Sequence, residues 1–248
     1  MRKFRWIGLL LSALCCAVLF GCGDSETVKD ERLQIVTTSF PPYDFARQTG
    51  GENVQVTMLL PPGAESHSYE PTPQDILKIK NCDIFIYTGG ESDSWIDDIL
   101  ESIGSDKTRV LSMMDYVDPL KEETVEGMEE AHDDGDDHSL HNEDEYDEHV
   151  WTSPRNAIRI VQAVCKALTE LDADNAESYN ENTDAYIQKL NELDQTYRNI
   201  TESGDRKCIV FGERFPFRYL ADAYGLTYYA AFPGCSEETE PSAATIAF

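Results

Sequence analysis

From Leu33 onward, short apolar runs of strand period alternate with stretches of helical period. Leu33 to Ser39 reads as a strand, stopped by Pro41-Pro42, and Tyr43 to Gln48 as a short helix closed by Gly50-Gly51. Val54, Val56 and Met58 point to one face of a second strand, which ends at Pro61-Pro62-Gly63. Thr72 and Asp75 flank a helix start with Pro73 at its first position, a capping box that opens a helix to Lys80. Asp83 to Tyr87 is a third strand, Trp95 to Ile103 a third helix, and Arg109 to Leu111 a short fourth strand. Strands that alternate with helices in this way predict βαβ units and a parallel sheet.

A second block follows an acidic stretch. Ile158, Val161, Val164, Cys165, Leu168 and Leu171 mark one face of a helix from Pro154 to Leu171, with Ser153 as its N-cap and Cys165 as a small core residue. Tyr179, Tyr186, Leu190, Leu193, Tyr197 and Ile200 recur at helical spacing over about 27 residues, or ~40 Å of helix. The heptads are not sustained as a coiled coil requires, and a helix bracing two lobes fits the pattern better. A strand from Lys207 to Phe211, a helix from Phe215 to Tyr224 stopped by Gly225, a strand from Thr227 to Phe232 and a further helix starting near Glu237 complete the pattern. One and a half βα units do not close a sheet lobe. The expectation is an α/β protein of two βα-sandwich lobes with mostly parallel sheets, joined by one long rigid helix, the second lobe incomplete. Its divisions fall at 32–172 for the first lobe, 173–202 for the linking helix and 203–248 for the partial second lobe.

The residues before this pattern belong to export. Arg2, Lys3 and Arg5 precede an apolar run, Trp6 to Phe20, that is short for a membrane span. It ends in Leu19-Phe20-Gly21-Cys22, which resembles a bacterial lipobox with Cys22 as the lipidated residue. Residues 1–22 are therefore expected to be a lipoprotein signal peptide and 23–31 a polar tether, which places the chain outside the cell membrane on a lipid anchor. Of the seven cysteines, Cys82, Cys165, Cys208 and Cys235 lie beyond Cys22; none has CxxC spacing, and their pairing stays open. The net charge of −27 excludes a nucleic-acid binder, because a phosphate backbone needs a basic face.

Much of that charge lies in the loop 121–148, and much of the candidate chemistry lies in it or directly after it. His132, His138, His141 and His149 are four of the chain's five histidines, set among dense Asp and Glu. Neutral imidazole suits zinc and its neighbours, and carboxylates lower the potential for any divalent cation; a solvated acidic loop with incidental histidines has the same composition. His149 differs from the other three, since it stands at the mouth of the Pro154 helix. His67 occupies the corresponding loop between the second strand and the Pro73 helix. In open α/β sheets such loops gather ligands, although a loop histidine taken alone is most often polar surface.

Two phrases decide between these readings. P-G-A-E-S-H-S-Y-E-P-T-P-Q-D at Pro62–Asp75 and D-E-H-V-W-T-S-P at Asp147–Pro154 resemble the zinc- and manganese-specific solute-binding lipoproteins of ABC importers, over roughly Leu33 to the end. The acidic, His-rich insertion is similar to that of the zinc branch. The resemblance implies His67 and His149 as metal ligands in a cleft between lobes, with His132, His138 and His141 as an accessory collecting loop. It also implies Zn²⁺ as the cargo with Mn²⁺ as the alternative, a membrane permease as partner, and a monomer. The family's third ligand lies five residues before the Tyr of the helix that ends in Tyr-Gly-Leu, here Tyr219. That position is Arg214, whose guanidinium cannot ligate a cation. Glu213 takes the role if the turn shifts, and a fourth, acidic ligand is expected beyond Phe248. Among other classes, a zinc hydrolase finds no HExxH spacing, and nothing specifies the partner surface of an adhesin-like lipoprotein, so no enzyme is expected.

Deleting Glu129–Glu145 is expected to leave one tight zinc site and to weaken capture at limiting zinc. Zinc uptake by cells carrying the deletion is the measurement, and an unchanged rate removes the loop's collecting role.

Overall fold

The first four strands pair as the alternation predicts. In the computed structural model, which describes residues 32–64, 69–103, 108–128, 145–236, 241 and 243–248, they are β1 (Leu33–Thr37), β2 (Val54–Met58), β3 (Ile84–Tyr87) and β4 (Arg109–Ser112). Their order in the sheet is β2-β1-β3-β4, and every pair is parallel. The chain therefore winds one way from β1 to β2, then crosses back to β3, which makes a topological switch point between β1 and β3. The calls on Cys22, on residues 1–22 and 23–31, and on His67, His132, His138 and His141 lie outside the described residues.

Both faces of this sheet are covered, as a parallel sheet requires. Successive residues of β1 point to opposite sides. Ile35 joins Ile84, Ile86 and Leu111 against α1 (Phe40–Gly50), α4 (Pro154–Leu171) and α5 (Ala176–Ser203). Val36 joins Phe85 against Ile79 of α2 (Pro73–Asn81) and Ile96 and Ile99 of α3 (Trp95–Ile103). The expected capping box is present in both directions: the Asp75 backbone N–H donates to the Thr72 hydroxyl oxygen and the Thr72 N–H to the Asp75 carboxylate.

The remaining strands, β5 (Cys208–Arg214) and β6 (Thr227–Phe232), pair in parallel around α6 (Arg218–Tyr224). Phe215 and Tyr228 stack with ring centroids 3.9 Å apart and, with Ala221, Ala230 and Met128, form a core of their own. A short helix, α7, spans Ala243–Ala247. The long helix α5 touches the helices of both sheets. Toward its start, the Tyr186 hydroxyl donates to Asp44 of α1 at 3.0 Å; toward its end, Asp194 accepts from Arg155 of α4, Arg198 and Tyr224 of α6. Burial pushes the Asp194 carboxyl up, but those three hydrogen bonds outweigh it and hold the group below its ordinary range. Residues 32–248 cluster as one compact unit, and among the described residues no helix is long and apolar enough to cross a membrane.

Several boundaries differ from the sequence reading, each for a local reason. Helix α1 starts at Phe40 rather than Tyr43, because Pro41 and Pro42 sit in a first turn whose N–H groups need no partner. Helix α6 starts at Arg218 rather than Phe215: the Phe215 N–H goes to the Phe232 carbonyl, so Phe215 to Phe217 form a turn that extends the strand pairing. β5 runs on to Arg214 through a bulge, since Phe211 and Arg214 are three residues apart while their partners Ala230 and Phe232 are two apart. Ser153 stands at the N-cap of α4 without a side-chain cap bond. The last helix begins at Ala243, and Glu237, where it was expected, lies outside the described residues.

Helix α4 tests the packing. Leu168 is fully buried and Leu171, one turn on, is 47% exposed. Leu168→Ala is expected to cost about 2–5 kcal/mol and Leu171→Ala no more than about 0.5 kcal/mol, both read by urea unfolding. Similar losses at the two positions would contradict this burial.

Candidate functional site

Residues that leave the carboxyl ends of the first three strands meet at the switch point. A cleft of about 190 Å³ is lined there by Thr38 and Ser39 after β1, Leu60 after β2 and Thr88 after β3, with Glu148 and His149 across from them. Leu60 and Tyr69 both line this cleft, and the segment between them carries His67. Tyr69 is pinned: its hydroxyl donates to the Asp75 carboxylate at 3.0 Å, and its ring meets Trp95 edge-on at 5.9 Å. Burial opposes the Asp75 charge, yet hydrogen bonds from Lys78, Thr72 and Tyr69 hold its carboxyl down at about 2. The stretch with His67 thus ends on a charged, rigid anchor at the start of α2.

His149 is buried, which is unusual for an ionisable loop residue. The Asp147 carboxylate explains its placement, since it accepts from the His149 backbone N–H at 2.8 Å and lies 3.2 Å from Nδ1. A carboxylate on Nδ1 directs a cation to Nε2 and fixes the ring, the usual support of a metal-binding histidine. Asp147 is itself held by the main chain: its N–H donates to the Leu120 carbonyl and its carbonyl accepts from the Tyr219 hydroxyl at 2.8 Å. The same hydroxyl accepts from the Leu120 N–H at 3.0 Å, so Tyr219 of α6 is clamped across both strands of the segment. Burial pushes the Tyr219 phenol up to about 12, which keeps it a donor at neutral pH.

The acidic loop closes at its base on the same residues. Lys121 and Tyr146 form an antiparallel bridge, and the Glu122 N–H donates to the Glu145 carbonyl at 2.9 Å. A deletion that stops at residue 144 therefore spares this neck.

The surroundings of His149 are strongly negative. Glu148 accepts from the Ser92 N–H at 2.8 Å, and it packs so closely on Gly90 that a Cβ there would fall 2.5 Å from Oε1. Gly90 also has φ +94, so two constraints select glycine. Asp93 accepts from the Thr88 and Gly89 N–H groups at 3.0 Å. Burial raises its pKa to about 6, and the Glu148 charge adds to that against the two backbone bonds. On the other side of His149, after β6, Cys235 donates its N–H to Glu122 at 2.7 Å. Burial raises the Glu122 pKa, as does the Asp147 charge. One donor atom each from Asp147, His149 and Cys235 lies within 4.8 Å of the others.

Of the residues singled out from sequence, His149 belongs to this group, and His67 lies outside the described residues. Glu213 is exposed on the β5 bulge and is not a member of the triad; Arg214 ends the strand. Asp147, Glu148, Asp93 and Cys235 were not singled out. Asp147 stood legible two residues before His149, whereas Asp93 and Cys235 reach the site only through folding. Cys82, Cys165, Cys208 and Cys235 are all unpaired, and Cys165 is the buried core residue its helical position implies.

The chain is similar to known proteins over nearly its whole length. The profile of the family described as ZnuA, zinc-uptake complex component A, periplasmic, matches residues 35–248. The zinc-binding lipoprotein AdcA of Streptococcus pneumoniae (strain ATCC BAA-255 / R6) is 35% identical over 241 residues, which are 97% of this chain and 46% of AdcA. The high-affinity zinc uptake system protein ZnuA of Bacillus subtilis (strain 168) is 33% identical over 248 residues, 98% of this chain and 76% of that protein. The chain spans about half the length of AdcA. Among solved structures, Zn(II)-bound AdcA from Streptococcus pneumoniae superposes with TM-score 0.70 at 31% identity, covering 87% of this chain and 42% of that one. The metal-dependent lipoprotein YcdH from Bacillus subtilis superposes with TM-score 0.71 at 30% identity, covering 87% and 73%.

The Asp93 carboxyl is expected to titrate near pH 6 in the folded chain. Because its pKa is raised on folding, its ionisation opposes the folded state: its contribution improves as pH falls through 6 and is lost above. Carboxyl carbon NMR reads the midpoint, which should move down in Glu148→Gln. An unmoved midpoint would show that Glu148 does not contribute to the shift.

Proposed function

The chain belongs to the zinc-uptake component A family, and on that premise we propose that it is the extracytoplasmic zinc-binding component of an ABC-type importer, passing Zn²⁺ to a membrane permease. The observation that carries this reading is the burial of His149 against Asp147 at the switch-point cleft. A neutral imidazole with its tautomer set by a carboxylate is a ready zinc ligand, and two such rings on separate loops bind only when the fold brings those loops together. Asp93 and Glu148 add negative potential to the cleft wall, which favours a divalent cation over neutral solutes.

The other parts take their roles from this one. Residues 1–22 direct export and Cys22 carries the lipid, so the site works near the membrane surface as a monomer, tethered by residues 23–31. His132, His138 and His141 form a multivalent collector in the loop 121–148, whose neck is joined directly to Asp147. Residues 32–172 and 203–248 act as two lobes about the helix of residues 173–202, so that a small movement at the cleft changes how tightly metal is held. This is binding and delivery, with no chemical transformation of the cargo. The relatives described above are named for zinc binding and zinc uptake, and Zn²⁺ is accordingly the cargo, ahead of Mn²⁺.

Zn²⁺ and Mn²⁺ offered together to the purified chain test this reading through metal content and competition binding. One tightly held zinc, lost in the His67→Ala/His149→Ala double variant, is the expected result. Weak binding of several zinc ions that survives in the double variant would show that the acidic loop alone takes metal and would overturn the cleft site.

A further inference from the structure

We propose that Cys235 is a ligand of the metal held at His149, its thiolate filling the place that Arg214 leaves without a donor. The inference rests on the metal-binding reading above and adds a residue and a chemistry that the sequence pattern did not indicate.

Three observations converge on Cys235. First, its sulfur lies in a mixed group, with a ring nitrogen of His149 and a carboxylate oxygen of Asp147 all within 4.8 Å of one another, although 86 residues separate Cys235 from His149. Second, the turn that presents it is built for close approach. A Cβ on Gly234 would fall 2.9 Å from Asp147 Oδ2 and from the Phe215 carbonyl oxygen, and 3.3 Å from His149 Nδ1. Only glycine lets the backbone press this near to the Asp147–His149 pair, and the Cys235 N–H bond to Glu122 holds the turn there. Third, the charges around the sulfur suit a cation. Asp147 lies in the same group as the sulfur and the Glu122 carboxylate accepts from the Cys235 N–H, so the thiol sits in a negative setting that attracts a divalent ion.

The alternative donor is less well placed. Glu213 is exposed on the β5 bulge and is not in the group at His149, whereas the Cys235 sulfur lies within 4.8 Å of the ring nitrogen. Zinc–sulfur and zinc–nitrogen bonds of about 2.3 and 2.0 Å bring tetrahedral ligands to within about 3.5–4 Å of each other. The His149 ring nitrogen and the Cys235 sulfur lie within 4.8 Å of each other, so rotation of one cysteine side chain supplies what adjustment the metal needs. Coordination breaks the S–H bond and forms the Zn–S bond, and the proton leaves to solvent. Asp147 keeps its hydrogen bond to the ring and remains a positioning residue. A thiolate also biases the choice of metal, because it is a soft ligand that favours zinc over manganese.

Co²⁺ in place of Zn²⁺ tests this on the reduced full-length chain. The unaltered chain is expected to show a thiolate-to-cobalt charge-transfer absorption in the near ultraviolet. Cys235→Ser should lose that absorption while keeping the visible cobalt bands, and Cys208→Ser, at an exposed position, should keep both. Zinc affinity of Cys235→Ser is expected to fall at least about tenfold, with a smaller change for Mn²⁺. Bound cobalt without the charge-transfer absorption, or an absorption that survives Cys235→Ser, would overturn the cysteine ligand and leave the histidine site standing. A chain that binds no cobalt at all would overturn both.

Discussion

Three consecutive residues, Asp147-Glu148-His149, are held from both sheets at once, and the site depends on that restraint. From the turn after β3 of the four-stranded sheet, the Ser92 N–H takes Glu148. From α6, the helix between the strands of the two-stranded sheet, the Tyr219 hydroxyl donates to the Asp147 carbonyl. The neck of the acidic loop adds the Asp147 N–H bond to Leu120. A buried histidine is expensive unless its polar atoms are satisfied, and here the backbone is fixed before the ring is placed. The Asp147 carboxylate serves backbone and ring together, so the orientation of His149 follows from the main chain rather than from its own rotamer freedom.

This restraint also explains why so much negative charge is tolerated in one place. Asp147, Glu148, Asp93 and Glu122 lie around one imidazole, and Asp93 and Glu122 both bind protons more readily than usual. Like charges brought together out of water oppose folding unless hydrogen bonds or a cation offset them. Backbone N–H groups from Thr88, Gly89, Ser92 and Cys235 supply part of the compensation. A divalent ion at the proposed site would offset the rest.

The periodic pattern made most of the architecture legible. Strands and helices of the first sheet fall where the alternation puts them, because each buries a continuous apolar face and short parallel strands admit few alternatives. The misreadings lie where local signals compete. Pro41-Pro42 serve as a helix first turn as well as a strand stop, and Phe215 pairs with β6 instead of starting a helix. His149 stood out as a candidate ligand through the phrase Asp147 to Pro154, and the structure buries it against Asp147. Arg214 holds the family's spacing to Tyr219, and Glu213, one residue earlier, is exposed on the β5 bulge.

By itself, the sequence determined the parallel α/β character, the long helix, the acidic His-rich loop and two histidines at helix entrances, since these depend on periodicity, capping and composition within short windows. The tertiary structure decided which groups meet at His149. Strand order set the switch point and with it the cleft. The return of β6 carried Gly234 and Cys235 against Asp147, and the Tyr219 hydroxyl locked that meeting in place. No local pattern encodes such contacts, because residues far apart in the chain become neighbours only through the path of the backbone between them.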